Sequence, residues 1–472
     1  MTEPEESEEV KKVLANLKAA RAERERLARL GRWSEADETV LVALRDVLTV
    51  GSPEISGPDL GGLIYVAGSP RPERKRMRGN WGPVPPERLS ATYAMLLVNR
   101  GREPQTAIEL ARRAMENYGW RDLGAFWYCV LALAYAGELD EAQRHLDKAV
   151  ARSGWSGLPP HISALTVLRA RVAALGGDPL TAWQLLDSAL KRGLFDQFTE
   201  VAVAWAITAL VDLGDLDRAE DLLLSRGFGQ TLDGVNDRAE VLAARGALRA
   251  ATGRLQLAYD DFTLCGRQLA PWGVTNPAVI PWRSQGALCA ATTDRRSLAL
   301  SLANEELFHA RRWGTPQTIG AALRAVALVS EDERADKLLE EAVEHLSHNG
   351  SLGALMRAQY ELGTKWCLSG RREEGKTALW AARNAASRMK SDVWTKRIDK
   401  AIRRWAESEL DEKPTGQELK VLNLALSGLS NKSIAAYLRL GTSTVEFHLS
   451  NAYRKLRISG RNELQSLMIP VW

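Results

Sequence analysis

The segment GRREEGKT (Gly370–Thr377) meets the pattern G-x-x-x-x-G-K-[ST] at every required position. In a phosphate-binding loop such glycines let backbone amides cradle an anion, the lysine reaches the outer phosphates and the hydroxyl meets magnesium. That chemistry needs a buried strand ahead of the loop and an apolar strand ending in Asp behind it, and the sequence offers neither. What precedes is a helix face: Leu355, Ala358, Leu362 and Trp366 recur at steps of three, four and four. The other reactive residue types are scattered. Cys129, Cys265, Cys289 and Cys367 form no C-x-x-C pair and read as buried reduced thiols. His345 and His348 stand one helical turn apart without a carboxylate or thiol partner in ligand spacing, so no metal site is expected. No paired acids or nucleophile constellation stand out; an enzyme is not expected, and no cofactor is assigned.

The glycines of this segment belong to a longer pattern. With Gly137, Gly177, Gly214, Gly253 and Gly370 set as anchors, the fifth residue onward is Ala142, Ala182, Ala219, Ala258 and Gly375. The ninth is Leu146, Leu186, Leu223, Phe262 and Leu379, and the twelfth is Ala149, Ala189, Arg226, Cys265 and Ala382, with Arg226 the one departure. Ser330 starts a further copy (Ala335, Leu339, Ala342), Gly31 an early one (Ala36, Val40, Ala43), and a degenerate copy falls near Asp294. Glycine supplies the turn conformation that ends one helix, small residues let the next approach its neighbour, and the large residue fills the groove between them. The pattern predicts helix-turn-helix pairs stacked as a tetratricopeptide-like α-solenoid. GRREEGKT is then a repeat turn, with Lys376 and Thr377 on the exposed side of a second helix.

Composition agrees with an all-α reading. The 472 residues are 45% hydrophobic and 26% charged, and the start MTEPEESEEVKK is acidic where a signal peptide would be basic and then apolar. No long apolar run suggests a membrane span, and a cytoplasmic location is expected. Residues 50–85 are dense in Gly and Pro and interrupt the array; within them RPERKRMR (Arg71–Arg78) reads as a solvated basic loop, with nucleic-acid contact as the second reading. The expected organisation is a repeat domain over 1–406, a polar linker over 407–413 and a separate C-terminal domain over 414–472.

That last segment carries the charge. From Pro414 onward seven Lys/Arg face three acids, an excess that equals the net charge of +4 for the whole chain. An anionic partner would be drawn to this end. Thr415 and Glu418 form a capping box ahead of a helix bearing Leu419, Leu422 and Leu426, and Gly428 ends it. Ser430 caps a second helix with Ile434, Ala435 and Leu438 inward. A third helix buries Val445, Leu449 and Ala452 and leaves Ser443, Glu446, Phe447, Ser450 and Arg454 on the opposite stripe. A compact, basic three-helix unit with such a face suits insertion into the major groove of double-stranded DNA.

The residues GLSNKSIAAYLRLGTSTVEFHLSNAYRKL resemble the C-terminal DNA-binding domain of LuxR-type transcription regulators, through G-L-S-N-K-x-I-A, T-V-x-x-H and a basic R-K-L. The resemblance implies phosphate contacts from Asn431, Lys432, Thr444, Arg454 and Lys455, and base contacts from Glu446, Phe447 and Ser450. It implies a structural role for His448, and dimerisation through the final helix, here Leu464, Leu467 and Met468. Three features depart from the family's pattern: Pro414, Gly416 and Gln417 at the start, Gly441 where a Ser cap is usual, and Arg457 where Gly is usual. Upstream, NPAVIPWRSQGALCA and NEELFHARRWGTPQTIGAALRAVALV are similar to the solenoid of the large ATP-binding LuxR-type regulators, the maltose-regulator group. Those carry a triphosphatase module before their repeats. None is found in this sequence, so nucleotide-switched assembly is not expected.

The function expected is sequence-specific transcription regulation, with a homodimer on DNA and a repeat domain that senses a small-molecule effector or a regulatory protein. Tryptophans 127, 155, 183, 205, 272, 282, 313 and 366 read as interhelical core, with a ligand pocket as the second reading. The competing class is a repeat scaffold for protein partners with a vestigial DNA-binding domain.

Overall fold

In a computed structural model the chain forms a helical array followed by a small C-terminal helical unit. The structure describes residues 65–68, 86–116, 122–151, 159–293, 295–330, 334–349, 351–407, 414–426, 429–456, 458–461 and 464, with a few positions between 15 and 43. From Pro86 onward the described residues form eight helix pairs: α1 (Pro86–Arg100) and α2 (Pro104–Glu116), α3 (Leu123–Tyr135) and α4 (Leu139–Val150), α5 (Pro159–Leu175) and α6 (Pro179–Arg192), α7 (Thr199–Leu213) and α8 (Leu216–Ser225). Then follow α9 (Arg238–Ala251) and α10 (Leu255–Leu269), α11 (Trp282–Thr292) and α12 (Arg296–Trp313), α13 (Pro316–Val329) and α14 (Arg334–Asn349), α15 (Leu352–Leu368) and α16 (Arg372–Arg388). Helix α17 (Asp392–Glu407) closes the array; α18 (Gly416–Leu426), α19 (Asn431–Leu438) and α20 (Thr442–Lys455) form the C-terminal unit.

The repeat frame matches its sequence pattern. All five anchor glycines have positive φ, between 78° and 92°, which side-chain-bearing residues rarely adopt. In each turn the residue after the glycine donates its N–H to the carbonyl five positions back, as in Asp178 to Ala173 (2.9 Å) and Arg371 to Trp366 (2.8 Å), which satisfies carbonyls left over at the helix end. The small and large residues that follow are buried in every complete copy, Arg226 excepted. A buried Leu at such a position contributes roughly 2 kcal/mol. The copy after Ser330 is built likewise, although Ser330 itself is extended (φ −85°). Of the copy at Gly31 only the buried Ala43 lies within the described residues. One copy was hidden: Ala107, Ala111 and Ala114 of α2 are buried at the same intervals from Arg102, but the turn glycine, Gly101, comes one residue early.

GRREEGKT is a repeat turn. Gly370 links two helices, no strand precedes it, and Gly375 lies buried inside α16 against Cys367 and Gly363. Lys376 is half-buried rather than exposed, 3.3 Å from Glu373.

The array also does something its periodicity does not announce: it winds back onto itself. Asn276 Nδ2 donates to the Val98 carbonyl (2.7 Å), Trp313 Nε1 to that of Tyr135 (2.9 Å), and Ser391 Oγ to that of Leu213 (3.1 Å); each bond spans 178 residues. Three such equal spans define one superhelical turn. Arg357 and Asp212 (2.9 Å) add an ion pair across the same seam. The inner face is partly filled by Tyr65–Gly68 from the Gly/Pro-rich insertion. Asn99 Nδ2 donates to the Tyr65 carbonyl, Trp127 Nε1 to that of Ala67, and the Gly68 N–H donates to Asp237. The basic run Arg71–Arg78 lies outside the described residues, as does most of the expected linker.

Candidate nucleic-acid interface

The C-terminal unit starts at its expected cap. Thr415 N–H donates to Glu418 Oε2 (2.6 Å) and Glu418 N–H to Thr415 Oγ1 (3.3 Å), the reciprocal capping box. Val421, Leu422 and Ala425 form the buried face of α18, with Leu419 only half-buried; Gly428 lies outside the described residues. Ser430 Oγ accepts from Ser433 N–H and starts α19, which buries Ile434 and Ala435 and leaves Leu438 half-buried. Helix α20 packs on both of the others through Val445, Leu449 and Ala452.

The opposite face of α20 is open. Ser443, Glu446, Phe447, Ser450 and Arg454 are exposed, Phe447 at 64% of its surface, and Thr444 and His448 are half-exposed. Phe447 stands beside Glu446, whose carboxylate is a hydrogen-bond acceptor on the same exposed stripe. Lys432 is exposed in the first turn of α19, where helix N–H groups and its ammonium both favour an anion. Asn431 sits between two charges: it donates weakly to Glu446 Oε1 (3.5 Å) and accepts from Arg461 Nη2 (2.7 Å). Arg461 also donates to the Leu429 carbonyl (2.6 Å), and so fixes the entry to α19. Read in sequence only as a positive charge, Arg461 is a positioning residue, and no spacing signal marked it.

Two expectations need correction. Lys455 does not face outward: its side chain is 9% exposed and its ammonium lies 2.9 Å from Glu418 Oε2. One residue beyond Arg454, it has turned to the inner face of α20, because a helix rotates its side chains by about 100° per residue. Burial opposes ionisation of Glu418, but Lys455 and both Thr415 donors outweigh it and hold the carboxyl below its usual value. Leu464 is wholly buried in the core of its own chain, so it is not part of an open dimer face; Leu467 and Met468 lie outside the described residues. Gly441, at the start of α20, is extended (φ −72°, ψ 147°) and offers no side-chain cap.

A second site lies on the inner face of the array. A cavity of about 300 Å³ is lined mainly by the first helix of seven successive pairs, α3 through α15, joined by Phe262 of α10 and Glu306 of α12. Of the tryptophans, Trp205 and Trp282 reach it, whereas Trp127 and Trp313 are core; Trp155 lies outside the described residues. The Arg171 guanidinium stacks over Trp205 (4.7 Å) and Tyr135 (5.4 Å). Glu240 accepts from Trp205 Nε1 (3.0 Å) and faces the Tyr65 hydroxyl at 3.5 Å, so the inserted segment and the cavity share one carboxylate.

Helix order, capping and the open stripe of α20 define a helix-turn-helix domain at the end of a helical-repeat array. Residues 415–468 match the family model for bacterial regulatory proteins of the luxR family, and the C-terminal unit is a domain of that type. Among curated proteins, the nitrate/nitrite response regulator protein NarP of Escherichia coli (strain K12) is 36% identical over 75 residues. The match takes in 15% of this chain, and the chain spans about a third (35%) of that relative's length. Among solved structures, a Rap protein complexed with competence and sporulation factor aligns over 79% of this chain and 98% of its own, at 12% identity and a TM-score of 0.39. Among the described residues no helix is long and apolar enough to cross a membrane.

Proposed function

We propose that this protein is a sequence-specific DNA-binding transcription regulator whose C-terminal domain, from about residue 414, reads the major groove with α20. The observation that carries the reading is the exposed stripe of Ser443, Glu446, Phe447, Ser450 and Arg454 over a fully buried one, within a domain of the luxR type. Glu446 and Phe447 suit base edges, as acceptor for cytosine N4 and apolar contact for a thymine methyl, with Ser450 alongside. Lys432, Arg454, Ser443 and Thr444 suit phosphates, and Asn431 holds the geometry between Arg461 and Glu446. Lys455 has no place in the contact set. One short helix reads few base pairs, so a homodimer on paired half-sites supplies the rest of the affinity.

The repeat domain, to about residue 406, is proposed to sense an effector in the inner-face cavity. Test: duplex binding measured against salt, where each phosphate neutralised contributes a log–log slope of about −0.9. Lys432→Ala and Arg454→Ala should each flatten the slope by about one such contact. Slopes equal to that of the unaltered protein in both variants would leave a protein-binding scaffold as the better reading.

A further inference from the structure

The inner-face cavity is electrically balanced and incompletely bonded, and together these features specify a ligand class. Three guanidiniums (Arg171, Arg324, Arg357) and three carboxylates (Asp212, Glu240, Glu306) line it. Some are matched: Arg324 grips Glu361 through two bonds (2.7 and 2.6 Å), Arg357 Nη2 donates to Asp212, and Glu240 is held by Trp205. Others keep buried polar atoms without a hydrogen-bond partner: Glu306 Oε2, Ser284 Oγ, Arg171 Nε and Arg357 Nη1.

Glu306 is the decisive residue. It occupies the twelfth position of the degenerate repeat near Asp294, where the complete copies carry Ala or Cys with Arg226 the one departure, and it is wholly buried. Its Oε1 accepts from the Ser284 N–H (3.2 Å), while Oε2 lies 3.6 Å from Arg283 Nη1, beyond hydrogen-bond reach. A buried carboxylate in place of a packing alanine is a cost to the fold that one backbone donor and a long ion pair offset only in part. Burial pushes its carboxyl up to about 7, against the pull of Arg283.

We propose that this cavity binds a small zwitterion with an apolar body, an amino acid or short apolar peptide, whose ammonium meets Glu306 and Ser284 and whose carboxylate meets Arg357 and Arg171. Equal numbers of cations and anions in the lining favour a ligand of zero net charge. Unpaired acceptors and unpaired donors together favour one that carries both signs. Trp205, Trp282 and Ile280 supply the apolar walls. A neutral polyol would satisfy hydrogen bonds but add no charge-assisted bond to Glu306, whose ion pair with Arg283 is long at 3.6 Å. The inference rests on the reading that the repeat domain senses a ligand.

The test uses the full-length protein and calorimetry with the twenty amino acids and a set of apolar dipeptides at millimolar concentration, with maltose as the neutral comparison. The best binder is then compared with its carboxyl amide and its N-acetyl form. The expectation is binding by a zwitterion, weakened about tenfold or more in each capped analogue and in Glu306→Gln or Arg357→Gln, as for loss of a charge-assisted bond. A thermal midpoint no lower than that of the unaltered protein in Glu306→Gln, and an unchanged helical circular-dichroism signal at the assay temperature in Arg357→Gln, separate a binding loss from misfolding, and Ser284→Ala provides a milder second probe. Maltose binding that is equal in Glu306→Gln would overturn the ligand class and leave sensing intact. Failure of every amino acid and dipeptide to bind would overturn the proposal. Zwitterion binding with no change in DNA affinity would support the site and remove the sensing role.

Discussion

Lys455 Nζ lies 2.9 Å from Glu418 Oε2, and so ties the last turn of α20 to the first turn of α18. The same carboxylate closes the capping box with Thr415, so a single side chain holds both ends of the domain. Lys455→Ala should therefore unfold the domain more easily, by about 2 kcal/mol, between the values for surface and buried pairs. Its DNA salt slope, measured where the domain is folded, should match that of the unaltered protein. Because Glu418 is held below its ordinary value of 4.5, the stabilisation is present above that pH and lost as pH falls through the folded value. Hydrogen exchange of α18 amides across this range reads it directly.

Arg439 ends α19 in the left-handed region, with φ 53° and ψ 44°, a position that favours glycine. Arg439→Gly should stabilise the C-terminal domain by up to about 1 kcal/mol, seen as slower exchange in α19. Faster exchange would mean that the arginine side chain contributes more than its backbone strain costs.

Gly375 lies where a methyl group cannot. A Cβ there would stand 2.4 Å from Cys367 Sγ and 2.7 Å from the Gly363 carbonyl oxygen. Gly375→Ala should lower stability by about 1–3 kcal/mol through forced separation of α15 and α16. In a nucleotide-binding loop, Lys376→Ala would instead be the damaging change. Calorimetry with ATP is expected to be flat for the unaltered protein, and a micromolar affinity abolished by Lys376→Ala would refute the repeat-turn assignment.

Glu306 binds a proton more readily folded than unfolded, its value rising from 4.5 to about 7. Between those values the native state holds more protons, so this group's contribution falls as pH rises and is lost above about 7. Glu306→Gln should lack that component, on the order of 3 kcal/mol at most, and should be more stable than the unaltered protein at pH 8. Glu240, also raised by burial, titrates in both proteins, so the difference curve from thermal melts isolates Glu306. Parallel curves would show that Glu306 is not perturbed.

The sequence displayed the repeat frame because its constraints are local. A turn at positive φ selects glycine and a close helix contact selects alanine, and both recur at fixed intervals. Gly101 escaped because a shift of one residue breaks the register while the alanines after it stay in place. The three-helix domain was legible for the same reason, through Thr415, Glu418 and Ser430. Lys455 was misread because two adjacent cations look alike in sequence, although a helix must turn one of them inward. Glu306 was legible in principle, as an acid where every other copy but the one with Arg226 carries a small residue, but only to a reading that treated the degenerate copy as informative. Contacts across 178 residues leave no periodic trace: Trp313 and Tyr135 meet through a backbone carbonyl, which any residue type provides.

Those three carbonyl bonds between successive windings alter how the molecule comes apart. A row of modules touching only adjacent modules frays from its tips, each unit melting on its own account. Here α12 cannot peel away without releasing α3, nor α17 without releasing α7. The coil is latched, and heat should undo it in one concerted event, so excising a single pair from either end would loosen helices half the molecule away.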